Sequence, residues 1–160
     1  MHRESPVSRK RSSTLPSKSG LYDVRTITDL RDLVHQSAAI YGDADAFLVK
    51  DPRSGATRSV SFRQFQRDIQ SLAASLRDMG LAGSHIAIIS ENRYEWCVSY
   101  LAIACGGSVV VPIDRELPEH ELGILLQRSG ARAVLCSAEY AARITEMRRE
   151  LPALERILDF

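Results

Sequence analysis

The sequence predicts an α/β protein whose alternating βαβ units form a mostly parallel sheet flanked by helices. The 160 residues suit one domain, and the 44% hydrophobic and 26% charged residues match an ordinary globular protein. Short apolar runs alternate four times with helical segments across short turns, which is the order of a parallel sheet with crossover helices. Several of these runs are continuously apolar, as expected for strands that are buried on both faces.

Residues 1–25 are predicted to be a disordered tail that contains many serine, proline and basic residues. The first 20 residues carry five basic side chains and one acidic side chain, and few apolar side chains that could offset the entropy of ordering. They have neither the apolar stretch of a signal peptide nor the amphipathic pattern of a transit peptide. The basic cluster Arg9–Arg11 is compatible with a nuclear-localisation or membrane-binding signal, although a solvated tail also explains it.

The charge of the chain is divided unevenly along its length. The formal net charge is +1, but the first 20 residues carry a local charge of +4 and the remainder carries −3. A slightly acidic folded part lacks the clustered Lys and Arg side chains that bind phosphate backbones, so we expect no nucleic-acid partner.

The first predicted elements are a helix, a hairpin and a second helix. Apolar residues recur at helical spacing over 28–41, and two short strands, 46–49 and 59–62, flank a segment of turn-forming residues. Ser61 and Gln64 form a predicted capping box for the second helix, whose apolar side chains lie three or four residues apart.

The parallel sheet is predicted from residue 85 onward. Its strands are 85–90, 109–112, 133–136 and 156–160, and the helices between them are 92–105, 118–129 and 138–151. Asn92, with Glu95 three residues later, is the predicted N-cap of the first of these helices. The chain stops on its last predicted strand, so we expect that strand at or near the edge of an incomplete sheet.

Residues 96–113 contain no charged side chain and approach the length of a membrane span. Gly106 and Gly107 interrupt this stretch, and β-branched residues follow them. We therefore predict a buried helix, a tight turn and a buried strand, with no transmembrane segment. Trp96 is predicted to be largely buried in this helix.

The three cysteines and four histidines form no recognised metal-binding or disulfide pattern. The cysteines are odd in number, lack C-x-x-C spacing and lie in apolar stretches, so a reducing, cytoplasmic location is expected. The histidines lack ligand spacing, and no metal site is predicted.

Known catalytic and phosphate-binding motifs are absent from the sequence. Neither G-x-G-x-x-G, G-x-x-x-x-G-K-[ST] nor G-x-S-x-G occurs, and the turn after strand 85–90 starts with the acidic Glu91. Glu119 and Glu121 lie two residues apart on a predicted helix and so point to different faces. We therefore predict no catalytic, cofactor-binding or metal-ligating residue in these 160 residues.

Four segments, taken in order, carry a family resemblance. They are 60–65 (VSFRQF), 83–96 (GSHIAIISENRYEW), 109–114 (VVVPID) and 117–122 (LPEHEL). Together they resemble the N-terminal part of AMP-binding, adenylate-forming enzymes, and they look most like long-chain fatty acid acyl-CoA synthetases. The resemblance covers about 26–160. It departs at Ser84 and His85, where the family commonly has an aspartate followed by a basic residue.

The resemblance implies a complete enzyme that joins a fatty acid to ATP with the help of Mg²⁺, releases pyrophosphate, and transfers the acyl group from AMP to coenzyme A. The family's phosphate loop, adenine-side motif, ribose-binding aspartate and catalytic lysine would all lie beyond residue 160. Residues 26–160 are therefore interpreted as the N-terminal portion of the domain, truncated before the phosphate loop and inactive alone. Peripheral membrane contact is left open.

Five residues of the resemblance are candidates for a role beyond folding. The sequence pattern of the family is matched by Glu91, Asn92, Arg93, Glu95 and Trp96. We assign these residues to capping and packing, and we leave open that Asn92 or Arg93 borders a substrate channel. The alternative interpretation of the whole chain is a non-catalytic α/β module that binds a partner chain.

Overall fold

A computed structural model describes residues 25–51 and 54–160. The predicted tail falls almost entirely outside these ranges, so its disorder stays a prediction. Five helices, six strands and one 3-10 turn lie in the described ranges. In chain order they are α1 Leu30–Tyr41, β1 Asp45–Lys50, β2 Thr57–Ser61, α2 Phe62–Asp78, β3 His85–Ile89, α3 Tyr94–Cys105, β4 Val109–Pro112, α4 Glu119–Ser129, β5 Ala133–Cys136, α5 Ala138–Glu146, the 3-10 turn Arg148–Glu150 and β6 Arg156–Asp159.

Four strands form the predicted parallel sheet in the order β4-β3-β5-β6, and every neighbouring pair is parallel. This arrangement confirms the predicted α/β fold class. The strand near the end of the chain lies at the edge of the sheet, as predicted. β1 and β2 form a separate antiparallel hairpin, also as predicted.

The continuous apolar runs of β3 and β5 are explained by burial on both faces of the sheet. Alternate side chains of a strand point to opposite faces. One face carries Ala87, Ile89, Val134 and Cys136, and the other carries Ile86, Ile88, Ala133 and Leu135. Helices α4 and α5 cover the first face, where Leu122 and Ile144 are fully buried, and α2 and α3 cover the second with Leu76 and Ile103.

The stretch 96–113 is divided as predicted into the greater part of α3, a turn at Gly106–Gly107 and β4. In the described ranges, no helix combines the length and the apolar character needed to cross a bilayer. Trp96 is partly buried: it packs against the core and stacks on Tyr100, with ring centroids 5.4 Å apart. The prediction that Trp96 is largely buried is therefore confirmed in part, because its side chain contacts the core but keeps some exposed surface.

Two capping predictions also need correction. α3 begins at Tyr94 with Arg93 as its N-cap, so Asn92 lies one residue too early to cap the helix. Ser61 does accept a hydrogen bond from the Gln64 backbone N–H, but the Gln64 side chain donates to Asp68 and does not return to Ser61. Only half of the predicted capping box therefore forms.

The predicted helix 138–151 is shorter than expected. α5 ends at Glu146, and residues 148–150 form a 3-10 turn before Leu151, which is buried against the core.

Candidate functional site

The carboxyl ends of the parallel strands are the part of this fold where ligands bind in other open α/β sheets. The segment 91–95 follows β3 there, Ser137 follows β5, and Phe160 follows β6. These residues are distant in sequence, and the parallel register of β3, β5 and β6 brings them together where the strands end. We call this end of the sheet the carboxyl edge.

Arg93 is the centre of a charged cluster at this edge. Its Nε donates to Glu95 Oε2 at 2.8 Å, and its Nη1 donates to Glu91 Oε1 at 3.1 Å. The guanidinium carbon also lies 5.2 Å from the ring centroid of Phe160. Because two carboxylates and a ring hold the guanidinium, Arg93 has one preferred position.

The carboxylates of this cluster stay ionised for different reasons. The pKa of Glu91 is lowered first by a hydrogen bond from its own backbone N–H and also by Arg93. Burial by itself would raise the pKa of Glu95, but the hydrogen bonds and the charge of Arg93 outweigh burial, and the net shift is downward. The pair raises the pKa of Arg93 in return. The cluster is a stable ion-pair network with no proton donor or acceptor poised near neutral pH.

Two buried serine hydroxyls lie beside the cluster. Ser90 Oγ donates to the Glu91 carbonyl at 2.9 Å. Ser137 Oγ is close enough to Glu91 to help lower its pKa, yet it has no partner of proper hydrogen-bond geometry within the described ranges.

A groove of about 700 Å³ separates the 91–95 segment from the β1–β2 hairpin. Among the described residues, the lining carries three basic and three acidic side chains, which are Lys50, Arg58, Arg93, Asp51, Glu91 and Glu95. Opposite charges in equal number do not favour a polyphosphate, since a phosphate site needs an excess of positive charge or converging N–H donors.

Tyr94 fixes the wall of this groove. Its phenol donates to Asp68 Oδ2 at 2.7 Å, which ties the start of α3 to α2. The ring packs against Phe47 and Phe65, with centroids 5.2 and 5.8 Å away, and Arg58 lies over it at 5.6 Å. Burial first, and then Asp68, raises the pKa of Tyr94.

Among the described residues, no cysteine at this edge is activated as a nucleophile. Cys136 is buried inside β5, and burial raises its pKa to about 11, opposite to the shift of a reactive thiol. Gly106 and Gly107 follow a helix and therefore cradle no phosphate. No group of three or more His, Cys, Asp or Glu side chains in the described ranges is arranged to hold a metal ion.

The five candidate residues of the sequence are only partly brought together. Glu91, Asn92, Arg93 and Glu95 line the groove, whereas Trp96 faces the core on the other side of α3. Sequence reasoning missed Phe160 and Ser137 as their neighbours. Both follow the carboxyl end of a predicted parallel strand, which is the signal that could have grouped them with Glu91.

The model of the AMP-binding enzyme family matches residues 34–159. The chain belongs to this family. The match includes β3, the charged segment after it, and the rest of the parallel sheet.

Two curated relatives and one solved structure illustrate the likeness. The long-chain-fatty-acid–CoA ligase FadD15 of Mycobacterium bovis is 28% identical over 118 residues, which are 72% of this chain and 20% of FadD15. A crotonobetaine/carnitine–CoA ligase of Salmonella paratyphi B is 26% identical over 123 residues, which are 76% of this chain and 24% of that ligase.

The solved structure is that of the long-chain-fatty-acid–CoA ligase FadD1 from Archaeoglobus fulgidus. It aligns with a TM-score of 0.75 and 19% identity over 84% of this chain and 28% of FadD1, and this likeness shows the fold. The chain spans about a fifth of the length of the curated relatives that it matches.

Proposed function

We propose that residues 26–160 are the N-terminal portion of an AMP-forming carboxylate–CoA ligase that activates a long-chain fatty acid. In the complete enzyme, ATP and the fatty acid would give an acyl-adenylate and pyrophosphate, and coenzyme A would then displace AMP. The chain's own role in that enzyme is to supply a rigid wall of the large lobe. The observation that carries this proposal is the family match over 34–159, which includes the segment held by Arg93.

The charged segment is suited to support rather than chemistry. Arg93 is already paired with Glu91 and Glu95 and lies against Phe160, so the two carboxylates offset its positive charge and weaken its attraction for a substrate anion. Asn92 is exposed and lines the groove, which makes it the residue of this segment best placed to border a substrate channel.

The described residues at the carboxyl ends of the strands do not fit the phosphates of ATP or a magnesium ion. A phosphate cradle needs free N–H donors and close backbone approach after a strand. Glu91 follows β3 almost directly, and its ionised carboxylate would repel phosphate. No step of the reaction is therefore assigned to residues of this chain, and the 160 residues alone are proposed to be inactive.

The long-chain substrate rests on two supports. The segments 83–96 and 109–122 look most like long-chain synthetases, and FadD15 bears that name. The Salmonella relative is named for crotonobetaine and carnitine, so acids of different classes are used by proteins of comparable similarity. An assay across acid classes decides between them.

We also propose a cytoplasmic location with peripheral membrane contact. The free cysteines suit a reducing compartment, and the +4 charge of residues 1–20 would favour an anionic membrane surface. Sedimentation of the chain with vesicles that contain phosphatidylserine, but not with neutral vesicles, would support this.

The decisive experiment is to sequence the gene beyond the codon for Phe160 and to assay the product of the complete reading frame. A frame that continues into a Ser/Thr/Gly-rich phosphate loop supports the ligase. Its product should then form CoA thioesters from palmitate with a higher kcat/KM than from butyrate or crotonobetaine. A preference for crotonobetaine would refute the long-chain substrate, whereas a stop with no downstream remnant would favour the partner-binding module.

A further inference from the structure

A second cavity, of about 390 Å³, lies between α1, α2 and the C-terminal end of α3. The cavity forms because α2 presents the small side chains of Ala73 and Ala74 to it, and because α3 ends at Gly106, which has no side chain. A Cβ placed on Gly106 would lie 2.7 Å from the Ala102 carbonyl oxygen and 3.5 Å from Ala73 Cβ, so α2 and α3 approach closely at its floor. Cavities of this size hold small ligands.

The polar side chains of the lining are hydrogen-bond donors that face each other from two helices. They are Arg31 and His35 on α1, and Gln66, Gln70 and Arg77 on α2. Within the part of the chain that the structure describes, no carboxylate lines this cavity. The apolar floor is formed by Val34 and Ile69.

The two guanidinium groups of the cavity lack carboxylate partners at ion-pair distance among the described residues. Neither Arg31 nor Arg77 forms an ion pair within the described ranges. Asp29 and Asp32, on the α1 side, accept hydrogen bonds at the N-terminus of α1, and the negative charge of Asp29 is felt at Cys105 in the lining.

The negative partial charges at the helix ends beside the cavity are smaller than the positive charges of the two arginines. A Cβ placed on Gly107 would lie 3.9 Å from Arg31 Nη2, so this guanidinium reaches the C-terminal end of α3. The C-terminal ends of α2 and α3 each carry about half a negative charge, so together they offset about one of the two guanidinium charges. The described lining side chains themselves carry a net positive charge, because they include two arginines and no carboxylate.

We propose that this cavity binds the oxyanion group, phosphate or carboxylate, of a small anionic ligand. The oxyanion accepts hydrogen bonds from Arg31 and Arg77, because guanidinium groups match the geometry of phosphate and carboxylate oxygens. The apolar part of the ligand lies against Val34 and Ile69. The cavity lies apart from the Arg93 cluster, so its ligand site is independent of the proposed ligase reaction.

The test is a titration of the ¹⁵N-labelled full chain, at a concentration at which light scattering shows it to be monomeric, with inorganic phosphate and, separately, with hexanoate at constant ionic strength. The amide resonances of Gly106 and Gly107 should shift saturably with at least one anion, with a dissociation constant of about 1 mM or below. Tighter binding of hexanoate would identify a carboxylate with an apolar chain, and binding of phosphate alone would identify a phosphorylated ligand. Both outcomes support the site.

The variants separate binding from folding. The double variant Arg31→Gln/Arg77→Gln should weaken binding at least about tenfold, because each charge-assisted hydrogen bond contributes on this scale. Arg31→Lys/Arg77→Lys keeps the charge and should bind more tightly than the Gln variant. Arg128→Gln, an exposed arginine in the last turn of α4, is the matched control and should leave binding unchanged. Absence of saturation by either anion, or equal weakening in the double variant and the control, would overturn the proposal.

Discussion

The guanidinium carbon of Arg93 lies 5.2 Å from the ring centroid of Phe160, although 66 intervening residues separate them in the chain. The backbone N–H of Phe160 donates to the Cys136 carbonyl at 3.0 Å, so the ring is fixed relative to β5. The contact therefore links the segment after β3 to the end of β6 across the intervening strand. It makes the carboxyl edge of the sheet one connected surface.

The first prediction concerns the charge of this surface. Arg93→Gln should lower the free energy of unfolding by about 1 kcal/mol at pH 7, from a partly exposed ion pair and a cation–π contact. The folded-state pKa of Glu95 is depressed, so its contribution is present above its unfolded pKa and is lost as the pH falls through the folded value. The difference between wild type and variant in urea unfolding should thus shrink below about pH 4.

Arg115→Gln is the control for this measurement. Arg115 is 53% exposed and lies 3.7 Å from Glu116, so its removal should change stability little at either pH. A cost of Arg93→Gln that is the same at neutral and acidic pH would contradict the assigned role of Glu95.

A second prediction concerns the wall of the groove. Tyr94→Phe removes the hydrogen bond to Asp68 and should cost about 1–2 kcal/mol in urea unfolding at pH 7. The pKa of Tyr94 is raised in the fold, so its phenol should stay protonated above pH 10, and its stabilising contribution is lost only as the pH rises toward the folded value. Absorbance titration of tyrosinate should show a late-titrating tyrosine in the wild type that is missing in the variant. Normal titration of every tyrosine would refute the contact.

A third prediction tests the two-sided core. Ile144 on α5 is fully buried against the sheet, and Ile144→Ala should cost about 2–5 kcal/mol. Ile124 on α4 is 49% exposed, and Ile124→Ala should cost far less. Chemical unfolding of both variants checks the difference, and equal costs would mean that α5 does not cover the sheet as described.

The fold was predictable from the sequence because its strongest signals are local. The runs at 86–89 and 133–136 are apolar at every position, and only a strand with two covered faces explains this. Helix starts were less predictable. Asn92 and Arg93 both precede α3, and tertiary contacts decide which of them is the N-cap. Arg93 caps α3 in an extended conformation while its side chain binds Glu91 and Glu95.

The site was less predictable than the fold because it depends on contacts between distant residues. No local pattern shows that Arg93 stacks on Phe160 or that Ser137 lies beside Glu91. Trp96 was predicted to be largely buried, and it does pack against the core, although some of its surface stays exposed.

A fourth prediction concerns the edge strand β6. The N–H groups of Arg156 and Phe160 donate to carbonyls beside and on β5, so by alternation the N–H of Asp159 points away from β5 and toward the open edge. Open edges recruit other chains, so the 160-residue chain should be aggregation-prone or partly molten. Asp159→Pro removes this outward donor and should reduce the associated fraction in light scattering, whereas Asp159→Ala should not. A cooperative, monomeric thermal transition of the wild type at high concentration would contradict this.

The most direct test of the proposed supporting role is an activity measurement on the purified 160 residues. Adenylation requires converging donors and cations around the α-phosphate and the leaving pyrophosphate, and loss of one such donor commonly costs about a hundredfold or more in rate. The charged groups at the carboxyl edge are already paired with one another. Fatty-acid-dependent exchange of labelled pyrophosphate into ATP should therefore equal that of a mock purification. Exchange clearly above the mock level would contradict the account and require an ATP site within these residues.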